Sequence, residues 1–290
     1  MWSFHSTIAL SALVGYMAGV VTESLCMRAI TTQLPYKERP DLILILSLCV
    51  VDLLCSSFSC LGCVESLLGR HLFTGSRDIS GFLNSLSWLT GALHISALAY
   101  NRFVALLLPL QYAIWCSANN TKRLVVALWI LGTLMAVGVR TFGQPVVWNL
   151  YMVNTAFDFS HNATAHHIVK PLLWWFNSIT TVLPLMLYST VTVKLCVLYV
   201  KQSDESRSQQ TDPSLCLQFF IIIIVFVAQS LSWNILSYLG GQFWFVVCVL
   251  SVLNFTINGY VYLIFNKVIR GAFKEALGLA TVTQVQPITN

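Results

Sequence analysis

The chain is 290 residues long, with 57% hydrophobic and 9% charged residues and a mean hydropathy of +0.74. A soluble domain carries about 25% charged residues, so this composition argues against a water-soluble enzyme. The net charge of +5 is not gathered into a basic patch, so no nucleic-acid partner is expected.

Seven apolar runs are long enough to cross a bilayer as helices, which takes roughly 17–25 residues each. The runs lie at 7–30, 42–68, 79–108, 123–142, 171–200, 215–239 and 243–265. Over 266–279, apolar and basic residues alternate at the spacing of an amphipathic helix that lies on a membrane surface. We predict an all-α membrane protein, a seven-transmembrane-helix bundle with a short amphipathic C-terminal helix. It forms one domain over 1–279, followed by a short cytoplasmic tail at 280–290.

The basic residues predict the orientation, because Lys and Arg near helix ends are retained in the cytoplasm. With the amino terminus outside, twelve of the 16 Lys and Arg residues fall on the cytoplasmic side. The other four are Arg70, Arg77, Arg140 and Lys170. Asn162 begins a glycosylation sequon in an outer loop. We therefore expect a multi-pass plasma-membrane glycoprotein with an extracellular amino terminus and a cytoplasmic carboxyl terminus.

Ionisable side chains inside predicted membrane helices are costly and mark functional positions. The four considered are Glu23, Asp52, His94 and Arg102. We expect His94 to tether helices by bonding Ser47 or the indole of Trp129. A pH-sensing imidazole is the alternative interpretation of His94.

The order and spacing of several residues resemble the rhodopsin-like G-protein-coupled receptors over nearly the whole chain. Asp52 corresponds to that family's second-helix aspartate, and Arg102 to the arginine of its Asp-Arg-Tyr triplet. Asn258 and Tyr262 correspond to the two ends of its Asn-Pro-x-x-Tyr motif. The resemblance implies that Arg102 and Tyr262 belong to the surface that couples to a heterotrimeric G protein.

A closer resemblance is to the nematode serpentine chemoreceptors of class x. Their Asn-Arg-Phe and Pro-Leu-x-Tyr run is similar to Asn101, Arg102 and Phe103 followed by 109–112. This resemblance implies a chemosensory receptor for a small extracellular molecule. The G-protein-coupling residues are then Asn101, Arg102, Phe103 and Tyr262.

The chain departs from the wider receptor pattern at three places. Asn101 replaces the acid of the triplet, so we expect another partner for Arg102, and Asp212, just before Pro213, is the candidate. Gly259 replaces the seventh-helix proline. No cysteine lies at 69–82 or 143–170, so the usual outer disulfide to the third helix cannot form.

A ligand pocket is predicted in the outer half of the bundle, mostly apolar with a few orienting amides. Its residues are Asn84, Ser87, Trp88, Trp175, Asn234, Tyr238 and Phe245. Asn84 stands where aminergic receptors have an aspartate, and an amide cannot neutralise an ammonium group. The seventh span has no lysine for a retinal Schiff base. The alternatives are membrane-interface roles for the tryptophans and interhelical bonding by the two asparagines.

Two acids and two amides are expected to meet at mid-membrane. They are Glu23, Asp52, Asn254 and Asn258. Two buried carboxylates need a positive partner, which is either a sodium ion, as the resemblance implies for Asp52, or a shared proton, which the second acid favours. No other cofactor is expected. An ion-coupled transporter or channel that uses Glu23, Asp52 and His94 is the alternative function, and the chain has no motif of an intramembrane enzyme.

Overall fold

The computed structural model describes residues 4–142, 146–150, 153–157, 163–201, 213–239 and 244–279. The described residues contain nine α-helices and one short 3-10 helix at Tyr36–Glu38. In chain order the α-helices are α1 (Phe4–Gln33), α2 (Pro40–Leu68), α3 (Ser76–Leu107), α4 (Pro109–Trp115), α5 (Ala118–Phe142), α6 (Ala163–Lys201), α7 (Pro213–Leu239), α8 (Trp244–Phe265) and α9 (Lys267–Ala276). All but α4 and α9 have 22 to 39 residues and overlap the seven predicted spans. The predicted all-α bundle is confirmed.

Five helices among the described residues are long and apolar enough to cross a membrane by length and composition: α1, α2, α5, α6 and α8. The apolar part of α7 is shorter, at Phe220–Trp233. Helix α3 is more polar because it contacts α2, α5 and α6 and turns Ser, Thr, Asn and His side chains towards them. Its polar residues therefore serve contacts inside the bundle.

The helix boundaries follow local sequence signals. Pro40 begins α2 and Pro109 begins α4, which suits a residue with fixed φ and no N–H in a helix's first turn. Gly69 ends α2 in the left-handed conformation, with φ of 64°. The side chain of Asn266 caps α9 by accepting a hydrogen bond of 3.1 Å from the backbone N–H of Ile269.

The amphipathic helix predicted after the seventh span is α9. Its Ile269 and Ala272 are buried against the bundle, while Lys267 and Lys274 are exposed. Val268 remains 43% exposed. This distribution suits a helix lying along the inner membrane surface.

A β-hairpin in the loop between α5 and α6 was not predicted from the sequence. Strands β1 (Val146–Asn149) and β2 (Asn154–Phe157) pair antiparallel, with Val146 opposite Phe157. In the connecting turn Val153 has a φ of 50°, which is unusual for a β-branched residue. The hairpin lies against the ends of α2 and α3, where α2 ends and α3 begins.

Candidate functional site

Near the carboxyl end of α3, Arg102 meets a carboxylate from α2. One of its terminal nitrogens, Nη2, lies 3.5 Å from Oδ2 of Asp41. Arg39 binds the same carboxylate through two contacts of 2.8 Å and 3.3 Å. The Arg102 and Asp41 side chains are 20% and 12% exposed, so the pair is only partly screened by solvent. Asp41 thus supplies the acid that Asn101 lacks.

The sequence-based expectation for Arg102 named a different acid. Asp212 lies outside the described residues, so its pairing with Arg102 stays a prediction. Sequence reasoning missed Asp41 because an acid in the first turn of a helix is ordinary, stabilised there by the helix dipole. Its contact with Arg102 joins positions 61 residues apart. Only the packing of α2 against α3 brings the two together.

Asn101 is buried and faces the short helix α4. Its side chain lies beside Tyr112 and Cys116, so the amide packs between this helix and the carboxyl end of α3. Burial raises the pKa of the Tyr112 hydroxyl, and the nearby Asp41 carboxylate raises that pKa further. Tyr112 therefore stays a neutral hydrogen-bonding group beside the Arg102 pair.

Helix α4 presents an apolar surface next to this pair. Leu110 is 87% exposed and Ile114 is 68% exposed, while Trp115 is half-exposed. Phe103, the third residue of the predicted coupling set, is half-buried. Tyr262 is fully buried within electrostatic range of Glu23, Asp52 and Tyr188. Tyr262 therefore belongs to the bundle interior in this conformation, not to the exposed inner surface.

The predicted mid-membrane group is brought together from α1, α2 and α8. Asn258 donates a hydrogen bond of 2.6 Å from Nδ2 to Oδ2 of Asp52. Glu23 accepts a hydrogen bond of 2.6 Å at Oε1 from the backbone N–H of Gly259. All three side chains are buried, and Oε2 of Glu23 and Oδ1 of Asn258 have no partner among the described residues. Oε2 of Glu23 can take up a proton, and either oxygen can contact a cation.

A small cavity adjoins Asp52. Asp52, Asn254 and Asn258 form its polar wall, and Trp88 and Phe226 are among its apolar lining. The volume open to the centre of a water molecule is about 10 Å³, close to the least that one water needs. The cavity therefore has room for a single water or a monatomic ion, and none for an organic ligand.

The predicted tether joins three helices through one hydroxyl. The Oγ atom of Ser47 lies 2.8 Å from Nε2 of His94 and accepts a hydrogen bond of 2.9 Å from Nε1 of Trp129. The other His94 nitrogen, Nδ1, lies 2.8 Å from the carbonyl oxygen of Thr90. Both His94 nitrogens are therefore engaged. This geometry confirms the structural interpretation of His94.

Towards the amino end of α3, Asn84 is directed at α2. Its Oδ1 accepts hydrogen bonds of 2.9 Å from Cys55 and Ser59, and its amide donates at 2.9 Å to the carbonyl oxygen of Ser80. Tyr16 of α1 also lies close to Ser59. In this conformation the interhelical interpretation of Asn84 holds.

Of the other predicted pocket residues, those whose side chains the structure describes do not converge on one space. Trp88 packs edge-on against Phe176 at 6.0 Å between ring centroids, and Ser87 is buried. Trp175 is 59% exposed and Phe245 is 41% exposed, so both face the outside of the bundle. The described residues exclude the side chains of Asn234 and Tyr238, and also Asn162 with its predicted glycosylation. The ligand role of this set stays a prediction.

Sequence reasoning missed Trp148, the largest fully buried side chain among the described residues. Its side chain projects from β1 into the bundle and donates a hydrogen bond of 3.1 Å from Nε1 to Oγ of Ser66. Its ring covers Gly62 so closely that an added Cβ there would collide with it. Its surroundings include Tyr16, Cys63 and Cys248. A loop tryptophan thus fills the outer bundle between α1, α2 and α8.

The chain is similar to known proteins both in sequence and in fold. The family described as "Serpentine type 7TM GPCR chemoreceptor Srx" matches residues 18–266. The human olfactory receptor 4K2 is 23% identical over 298 aligned residues, which cover 90% of this chain and 85% of that receptor. Melanopsin-B of Xenopus laevis is 22% identical over 240, covering 79% of this chain and 44% of melanopsin-B. The crystal structure of squid rhodopsin superposes with a TM-score of 0.74 at 11% identity, over 94% of this chain and 85% of that one, and shares the fold.

Proposed function

Because the chain belongs to the Srx family of serpentine G-protein-coupled chemoreceptors, we propose that it binds a small extracellular molecule and promotes nucleotide exchange on a heterotrimeric G protein. The family is one of multi-pass membrane receptors, not of enzymes. The proposal adds two statements to that membership: the direction of the signal and the residues that carry it.

The orientation proposed has the amino terminus outside and the carboxyl terminus in the cytoplasm. The distribution of Lys and Arg supports it, with twelve of the 16 on the inner side. In this orientation the β-hairpin covers the outer face, and Arg102, α4 and α9 lie at the inner face. Ligand and G protein then meet opposite ends of the bundle.

The observation that carries the proposal is the inner end of α3. Arg102 is held there by an acid on a neighbouring helix, and α4 beside it exposes Leu110 and Ile114. Exposed apolar side chains next to a restrained cation suit a surface that a protein partner covers. A G protein would bury these apolar residues, and it would contact Arg102 once the ion pair between Arg102 and Asp41 has separated.

Activation is then a shift between two conformations. In the resting one, Asp41 holds Arg102 at the inner face. An agonist shifts the equilibrium only to the extent that it binds the open conformation more tightly than the resting one. The contacts of Asp52 and Glu23 with α8 lie between the two ends, where they are placed to respond to both.

We further propose that the two mid-membrane carboxyls share one proton in the resting conformation. Glu23 and Asp52 are both fully buried, and Oε2 of Glu23 has no partner among the described residues. A sodium ion at Asp52 is the other way to supply positive charge. The oxygens of Asn254 and Asn258 would join Asp52 in holding it.

The test of coupling is guanine-nucleotide exchange on a purified heterotrimeric G protein, with the receptor reconstituted in lipid vesicles. Replacing Arg102 with Ala should reduce receptor-dependent exchange to the level of empty vesicles. Arg28→Ala is the matched control, because it removes an exposed arginine from the inner end of α1. Exchange by the Arg102 variant at the wild-type rate would contradict the proposal.

A further inference from the structure

The ring of Trp148, a residue of the loop between α5 and α6, fills a slot that is lined by helix residues. The slot is defined by Tyr16 of α1, by Gly62, Cys63 and Ser66 of α2, and by Cys248 of α8. These walls belong to three helices of the bundle, and Leu150 and Val153 of the hairpin complete the cluster around the ring. We call it the aromatic slot.

The attachment of Trp148 to the bundle is reversible. No cysteine lies at 143–170, so no disulfide ties the hairpin to a helix. The polar contacts that hold it include the indole to Ser66, the thiol of Cys248 to the carbonyl oxygen of Val153 at 3.6 Å, and His5 to that of Leu150 at 2.7 Å. Val153 adopts a positive φ, which costs energy for a β-branched residue. The indole can therefore leave the slot without breaking a covalent bond.

The chemistry of the slot selects one kind of molecule. Gly62 has no side chain, so a flat ring can lie directly against its backbone. Ser66 offers one hydroxyl oxygen that accepts a hydrogen bond. Two thiols provide polarisable contacts for an aromatic ring. The residues that define the slot carry no charge, so an ionised ligand would be desolvated there without a partner.

We propose that the aromatic slot is a binding site for neutral, flat aromatic molecules of indole size with one N–H or O–H donor, and that Trp148 is its resident occupant. Such a molecule binds by replacing the Trp148 ring and donating to Ser66. The proposal goes beyond the receptor function, since it names the ligand class and its site. Only the signalling consequence of binding depends on that function.

The slot also connects to the centre of the bundle. Tyr16 lies close to Ser59, Ser59 donates a hydrogen bond to Asn84, and Asn84 also accepts one from Cys55. Cys55 and Ser59 lie one and two turns from Asp52 on the same face of α2. Replacing the ring in the slot would therefore shift Tyr16 and its neighbours on α2, and these side chains lie on the same helix face as Asp52 of the mid-membrane group.

The first experiment uses the full chain in lipid nanodiscs and free indole as the probe. In Trp148→Gly the slot is vacated, and indole at about ten times its Kd should raise Tm by roughly 3 °C or more. 1-Methylindole, which has no N–H donor, should bind more weakly. Adding Gly62→Ala to Trp148→Gly places a methyl group in the slot and should abolish the indole effect. No indole-dependent rise in Tm for folded Trp148→Gly overturns the proposal.

The second experiment uses the wild type and does not depend on whether Trp148→Gly folds. Indole should displace the Trp148 ring, so amide hydrogen exchange in 146–149 and 154–157 should increase with indole concentration. Unchanged exchange at saturating indole would overturn the proposal, because the ring would then have stayed in place. Neither readout needs a G protein. If indole binds but Arg102→Ala leaves nucleotide exchange unaltered, the proposed function fails and the binding site stands.

Discussion

Glu23 of α1 accepts a hydrogen bond of 2.6 Å from the backbone N–H of Gly259 in α8. In the wider receptor family that the chain resembles, the position of Gly259 is a proline, which has no N–H. Near Glu23 that family has asparagine. The two departures from the family pattern therefore belong to one hydrogen bond: Gly259 provides the backbone N–H donor that proline lacks, and Glu23 provides the carboxylate acceptor.

Gly259→Ala should destabilise the bundle. A Cβ at this position would lie 2.8 Å from Oε1 of Glu23 and 3.0 Å from Oγ1 of Thr22, so α1 and α8 would have to separate or Glu23 would have to give up its hydrogen bond. Overpacking of this kind costs about 1–3 kcal/mol. The measurement is thermal unfolding of the purified receptor in detergent.

The control for Gly259 is Gly138→Ala in α5. A Cβ there meets nothing within 4 Å, so the substitution should stabilise the helix by about 0.5–1 kcal/mol. If Gly259→Ala and Gly138→Ala raise Tm alike, the close contact between α1 and α8 is not present in the folded protein.

Ser47→Ala should destabilise the protein by about 1–3 kcal/mol, because it leaves buried polar groups unsatisfied. The Ser47 hydroxyl is the shared partner of His94 Nε2 and Trp129 Nε1. Replacing serine with alanine changes the volume little, so packing is not the cause. Thermal unfolding measures the loss, and Ser57→Ala, an exposed serine of the same helix, is the control. Equal Tm values for the two variants would show that the tether contributes nothing to stability.

Glu23→Gln should flatten the dependence of activity on pH. If Glu23 and Asp52 share a proton whose uptake differs between the resting and active conformations, exchange by the wild type will change between about pH 6 and pH 8. Glutamine keeps an acceptor for Gly259 but cannot ionise. The measurement is nucleotide exchange across this range at fixed sodium concentration for both forms. Parallel profiles would show that protonation of Glu23 is not linked to activation.

The bundle and part of the site could be predicted from the sequence, because their signals are local. Apolar runs locate the helices, and the residue types of His94 and Trp129 identify a tether that the structure confirms. Asp52 and Asn258 meet because helix order and spacing place them at one depth. In each case the spacing of residues along one helix is enough to predict which side chains face the interior of the bundle.

The hairpin and the two missed contacts could not be predicted because they depend on packing between distant segments. Asp41 looks like an ordinary helix start until α3 brings Arg102 beside it. Trp148 lies in an apolar stretch of the loop, 146–153, but that stretch is short and does not indicate that the ring packs against Gly62. Two signals in the sequence point to an anchored loop: this apolar stretch and the absence of an outer disulfide.

Asp41→Asn should raise ligand-independent nucleotide exchange. The change removes the charge that restrains Arg102 and leaves the shape of the side chain intact. A partly exposed pair contributes about 1 kcal/mol, which corresponds to roughly a fivefold shift in the resting equilibrium. The control is Asp78→Asn, since Asp78 pairs with Arg140 at the outer end over 3.7 Å. A rise with both variants, or with neither, would argue against a specific role for Asp41.

The most direct test of the account combines the two inner-face substitutions in one assay. Ligand-free exchange on a promiscuous heterotrimeric G protein is measured in vesicles for the wild type, Asp41→Asn and the Asp41→Asn, Arg102→Ala double variant. We predict that Asp41→Asn exceeds the wild type and that the double variant falls to the level of empty vesicles. Exchange by the double variant as fast as by Asp41→Asn would contradict the claim that Arg102 carries the signal to the G protein.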